Sequence, residues 1–142
     1  MASNFKLSNV AAAACAGDGA SVGLLPLLAT GKIHLYDGSQ ATNPDTALGA
    51  QNDYCSSTVI TLPSPAGTES NGVITVGTVV SGTCSFTGTP TWFRVYESNG
   101  TSSLCDGTVG VSGCDMNFAG GVSFISGGTI AISAGSFSIP AH

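Results

Sequence analysis

Thr91-Trp92-Phe93-Arg94-Val95-Tyr96-Glu97 alternates two kinds of side chain. Phe93 and Val95 suit a core, while Trp92, Arg94 and Tyr96 fall on the opposite face, as the two-residue repeat of an extended strand requires. Asn99-Gly100 follows, a dipeptide that tolerates positive φ and signals a two-residue hairpin, and Leu104–Val109 then reads as the returning strand. The outer row admits two readings. In one, a large aromatic covers the sheet's own face. In the other, Trp92, Arg94 and Tyr96 are of the residue types in which interfaces concentrate their energy, and they meet another chain.

The same alternation extends outward. Lys32 to Tyr36 places Ile33 and Leu35 on one face and His34 and Tyr36 on the other, and a long loop from Asp37-Gly38-Ser39 through Asn43-Pro44-Asp45 follows. Further strands are expected over Tyr54–Leu62, closed by Pro63 and Pro65, and over Val73–Val80, with shorter runs at Cys114–Phe118 and Val122–Ile125. In the last run, Thr129–Ile139, the apolar residues change phase at Gly135, which predicts a bulge or sharp bend there. About seven or eight short strands at this spacing predict an all-β body over residues 31–142, a β-sandwich or jelly roll.

Residues 1–30 read as a short helical and extended arm. Ser8 is placed to cap a helix through Ala11–Ala14, Gly17 and Gly19 end or kink it, and Leu24, Leu25, Leu27 and Leu28 form an apolar stretch broken at Pro26. Those leucines are expected to pack on the body or on a neighbouring chain, because exposed they would form an apolar patch. The stretch falls far short of the roughly 20 apolar residues of a membrane helix, so no membrane span is expected. An export signal is a poor fit, since Ser8 and Asn9 interrupt the apolar run.

The chain has 142 residues, enough for one domain. Only 8% are charged, against about 25% in an average soluble domain, while 42% are apolar, so the chain folds rather than staying disordered. Lys6, Lys32 and Arg94 are the only basic residues against eight acids, which argues against direct nucleic-acid binding. Edge strands are commonly defended by lysine or proline, and this body has a single lysine, Lys32. Covering edges with other chains is the economical solution, and a homo-oligomer is expected, a trimer in preference to a dimer.

Candidate chemistry is sparse. The histidines are His34 and the terminal His142, and there is neither a Gly-x-Ser-x-Gly elbow nor a phosphate-binding loop followed by lysine. No catalytic residue and no cofactor is assigned, and an enzyme is not expected. Asp106, Asp115 and Asn117, or Asp37 and Asp45, carry oxygens suited to calcium but lack EF-hand spacing, and no metal ligand is assigned. Cysteines 15, 55, 84, 105 and 114 are odd in number and contain no Cys-x-x-Cys. Cys55, Cys84 and Cys114, in or beside strand-like runs, read as small apolar side chains, with a Cys105–Cys114 bridge left open.

Lys32-Ile33-His34-Leu35-Tyr36-Asp37-Gly38, Asn43-Pro44-Asp45, Thr91-Trp92-Phe93-Arg94 with Ser98-Asn99-Gly100, and Asp106-Gly107-Thr108-Val109-Gly110 with Gly113-Cys114-Asp115-Met116-Asn117 together resemble small β-rich virion proteins of tailed bacteriophages. The resemblance is to head decoration or cement proteins and covers roughly residues 31–139. It implies no catalytic residues, a major capsid protein as partner, and a place on the capsid exterior after synthesis in the host cytoplasm. A tail or head-fibre component is an alternative within the same class. A carbohydrate-binding β-sandwich, with Trp92 and Tyr96 stacking on sugar, is the alternative from another class.

Overall fold

The computed structural model describes residues 4–16, 23–79, 81–118, 120–132 and 138–139. In chain order its elements are β1 (Lys6–Leu7), α1 (Asn9–Ala16), α2 (Leu24–Leu28), β2 (Lys32–Tyr36), β3 (Ile60–Thr61), β4 (Gly67–Ser70), β5 (Val73–Val76), β6 (Gly82–Thr83), β7 (Trp92–Tyr96), β8 (Ser103–Gly110), β9 (Met116–Asn117), β10 (Thr129–Ile130) and β11 (Ser138–Ile139). The β-branched and aromatic residues of β2, β7 and β8 build the largest sheet, in the antiparallel order β1-β8-β7-β2-β3, and β9 lies parallel to β8. A three-stranded sheet, β11-β5-β4, and a two-stranded one, β10-β6, complete the pairing. Among the described residues the chain is β-rich with two short helices.

One core joins these pieces. Ile33, Leu35, Ile60, Phe93, Val95 and Cys105 from the large sheet cluster with Ile74 and Val76 of β5, Ile130 and Ile132 near β10, and Leu28 of α2. Glycine is required where backbones meet closely. A Cβ on Gly31 would lie 2.7 Å from Tyr96 O and 2.9 Å from Leu28 O.

The arm folds largely as its residues dictate. Ser8 Oγ accepts the Ala11 N–H at 3.1 Å, capping α1, whose Ala11 and Ala14 are buried. Leu24, Leu25, Leu27 and Leu28 form one short helix instead of a stretch broken at Pro26. Pro26 sits in the first turn, where its missing N–H has no intrahelical acceptor to lose. Leu24 and Leu28 are buried, and Leu25 and Leu27 pack against the core.

Several strand boundaries differ from the sequence reading. Tyr54–Leu62 is mostly turn and keeps only β3, because Asp53 Oδ1 takes the Cys55 N–H and folds that segment on itself. Asn99-Gly100 is not a two-residue turn, since Glu97 N–H pairs with Ser102 O around a longer loop. The two-residue turn with positive φ at both positions is Asn71-Gly72, φ 52° and 79°, joining the unforeseen β4 to β5. The bulge expected at Gly135 lies outside the described residues. The edges β1 and β3 are two residues long, and shortness is itself an edge defence, so the sparse lysines do not by themselves require covering chains.

Candidate functional site

The outer row of β7 organises the face of the large sheet opposite the core. Register places His34 of β2 beside Arg94, Arg94 beside Asp106 of β8, and Asp106 beside Lys6 of β1, a row of ionisable side chains crossing four strands. A bulge sets this pairing. Tyr96 faces Ser103, but Val95 faces Cys105, so Leu104 is the extra residue on β8. Without it Arg94 would oppose Cys105, whose thiol belongs to the core.

Arg94 and Asp106 form a two-pronged ion pair, Nε to Oδ1 at 2.7 Å and Nη2 to Oδ2 at 2.9 Å. It is enclosed, with Arg94 3% exposed and Asp106 0%. Burial pushes the Asp106 carboxyl above its ordinary range while Arg94 pulls it back. Burial also works against the Arg94 charge, but the Asp106 hydrogen bonds and charge outweigh it and leave the guanidinium above its ordinary value. The guanidinium carbon lies 5.5 Å from the centre of the Trp92 ring, an additional cation–π contact.

The remaining donors on this face grip the loop 37–52. Arg94 Nη1 donates to Thr46 O at 2.9 Å and Nη2 to Asn43 O at 3.2 Å. Trp92 Nε1 donates to Asp37 O at 3.0 Å, Thr91 Oγ1 to Gly38 O at 2.6 Å, and Lys6 Nζ to Ala41 O at 3.0 Å. A long loop without strand or helix leaves its carbonyls to be satisfied elsewhere, and side chains of β7, of Thr91 just before it and of β1 satisfy five of them. Pro44 is buried beneath the loop while Thr46–Ala50 are exposed, Leu48 among them.

Trp92 and Arg94 are therefore enclosed by the chain's own loop, which matches the reading in which the row covers its own sheet and not the one in which it meets another chain. The cause is the loop itself, invisible to strand alternation. Tyr96 stays half-buried at the margin, its hydroxyl 3.4 Å from that of Tyr36. Burial, reinforced by that contact, holds the Tyr36 phenol well above its ordinary pKa. His34 Nδ1 bonds Asp53 Oδ2 at 2.8 Å, with 15% and 26% of the two side chains exposed, and its ring stacks on Tyr36 and meets Tyr96 edge-on. Sequence reasoning did not place Asp106, Asp53 or Lys6 on this face, and weighed Asp106 only as a calcium-type oxygen donor. The only available signal was that Arg94, the sole arginine, needed a carboxylate within one hairpin.

The aspartates considered for calcium are engaged separately. Asp37 accepts from Asn52, Asp45 from the Asn9 N–H, and Asp115 from the Thr108 N–H and hydroxyl. Among the described residues no group of three or more His, Cys, Asp or Glu side chains is arranged to hold a metal ion. Cys55, Cys84 and Cys105 are buried, Cys15 is exposed, and no disulfide joins Cys105 to Cys114. Burial pushes the Cys55 thiol up to about 12 and raises Cys105 as well. Among the described residues no helix is long and apolar enough to cross a membrane. No protein-family model, curated protein or solved structure matches the chain.

Proposed function

We propose that this chain is a non-enzymatic structural component of a bacteriophage particle, a decoration or cement protein that binds the major capsid protein lattice on the head exterior and stabilises it. The observation that carries this reading is the loop 37–52, a long irregular segment fastened from beneath by Arg94, Trp92, Thr91 and Lys6 and presenting the nearly uncharged, exposed stretch Thr46-Ala47-Leu48-Gly49-Ala50. Long ordered loops on rigid sheets commonly serve binding, and preorganisation lowers the entropy cost of contact. Trp92 and Arg94 then act as positioning residues, with the loop as the contact. Charge poverty supports the same reading, because a protein fixed in a lattice does not depend on surface charge to stay dispersed. The resemblance in the strand and turn segments points the same way, and the body is read as a β-sandwich or jelly roll because both larger sheets feed one core. Each copy that binds only the assembled lattice stabilises it by mass action.

A sugar-stacking role for Trp92 has less support, since its ring is 1% exposed. The test is co-sedimentation with phage heads lacking the protein. Wild type should bind in saturable amounts, and Leu48→Asp should lose occupancy while keeping its melting temperature. Undiminished binding of Leu48→Asp would overturn the loop's role, and absence of binding by wild type would overturn the function.

A further inference from the structure

The tetrapeptide Glu-Ser-Asn-Gly occurs twice, at 69–72 and at 97–100. An asparagine amide followed by glycine is prone to attack by the chain itself, because the glycine nitrogen has no neighbouring side chain to hinder its approach to the asparagine Cγ. Identical neighbours give the two sites the same intrinsic reactivity, so the fold sets any difference between them. At the second site the amide is tied down. Asn99 Oδ1 accepts the Thr101 and Ser102 N–H groups at 2.8 and 3.0 Å, Asn99 Nδ2 donates to Ser102 Oγ at 3.0 Å, and the Gly100 N–H donates to Glu97 O at 2.9 Å. At the first, Asn71 is exposed and its side chain holds no hydrogen bond to a described residue. The Gly72 N–H meets a carboxylate, donating to Glu69 Oε1 at 2.6 Å. The surroundings also yield easily: Asn71 and Gly72 form the turn at the tip of the β4–β5 hairpin, and β4 is an outer strand with Thr68, Glu69 and Ser70 exposed.

We propose that Asn71 is a site of spontaneous backbone modification, assisted by Glu69, and that the fold protects Asn99 from the same reaction. The Gly72 nitrogen attacks Asn71 Cγ while Glu69 Oε1, within reach of the proton on that nitrogen, takes it and passes it to Nδ2. The Cγ–Nδ2 bond breaks, ammonia leaves and a cyclic imide closes. Water then opens the imide at one carbonyl to give aspartate or at the other to give isoaspartate. No electrons are exchanged and nothing beyond water is consumed, so the chemistry is independent of head binding. Each event adds a negative charge at position 71. Isoaspartate also inserts a carbon into the backbone of the turn that holds Ser70 opposite Val73, so the pairing of β4 is what the modification disturbs.

The test incubates the full-length protein in warm, mildly alkaline buffer, folded and in urea, and follows both sites by peptide mass spectrometry with fragmentation that separates aspartate from isoaspartate. In urea the two sites should convert at similar rates. In the folded protein position 71 should convert about tenfold faster than position 99 or more, the ratio to which a restraint of roughly one net hydrogen bond corresponds. The same ratio in urea, equal rates in the folded protein, or no conversion at 71 while the urea sample converts would overturn the proposal. Glu69→Gln separates proton transfer from restraint of the turn, because the glutamine amide oxygen still accepts the Gly72 N–H but is a far weaker base. Position 71 should then slow severalfold with position 99 unchanged, and an unchanged or faster rate at 71 would remove Glu69 from the step.

Discussion

Removing the Arg94 side chain tests the reading that this residue belongs to the fold. In Arg94→Ala the Asp106 carboxylate, 0% exposed, loses both its partners, and the loop loses the donors to Asn43 O and Thr46 O. Breaking one side of a buried ion pair costs about 3–5 kcal/mol. With an unfolding entropy of about 2.1 cal/mol/K per residue over 142 residues, that corresponds to a fall in Tm of roughly 10–17 °C. The pH dependence sharpens the test. Burial already holds the folded Asp106 carboxyl above its unfolded value, so the folded state binds that proton more tightly and stability from this group is lost as pH rises through the folded value. Without Arg94 the carboxyl rises further, so the deficit should be largest near neutrality and shrink in acid, where the neutral acid is cheaper to bury. Scanning calorimetry at neutral and acid pH measures both, and the apolar pair Arg94→Met with Asp106→Leu should recover much of the loss. A neutral-pH shift under about 2 °C, far below the range the buried pair implies, or a deficit equal at both pH values, would refute the reasoning.

Two further outcomes follow from close packing and from burial. A Cβ on Gly107 would stand 2.6 Å from two Phe93 ring carbons and 2.9 Å from Asp115 Cβ, so Gly107→Ala should cost about 1–3 kcal/mol in denaturant unfolding. Alkylation of the native protein at mildly alkaline pH should label Cys15 first and leave Cys55 and Cys105 unmodified, because burial hides both thiols and raises their pKa values, that of Cys55 to about 12. Peptide mass spectrometry reads the order, and rapid native labelling of Cys55 would contradict its burial.

How much of this was legible in the sequence depended on whether the signal was local. Alternation in Lys32–Tyr36 and Trp92–Tyr96 is a property of consecutive residues, and both strands formed where alternation placed them. The cap at Ser8 was equally local. The partner of Arg94 was not, because a bulge at Leu104 moves the register by one residue and brings Asp106, not Cys105, into line. Nor was the covering loop, whose hold on the sheet consists of its own carbonyls taking side-chain donors, contacts that leave no periodic trace. The β4–β5 turn carried a plain Asn-Gly signal at positions 71 and 72, but its short, exposed first strand lacked the apolar alternation that would have drawn attention to it.

The proposed decoration role makes this chain a stoichiometric part of a phage head, and quantitative peptide mass spectrometry of virions purified from the cells that express it, with the major capsid protein as internal reference, is its direct test. A fixed ratio to that protein, unchanged across preparations and lost when the chain is released from the head exterior, is expected. Absence from the particles, or trace amounts that vary between preparations, would contradict it.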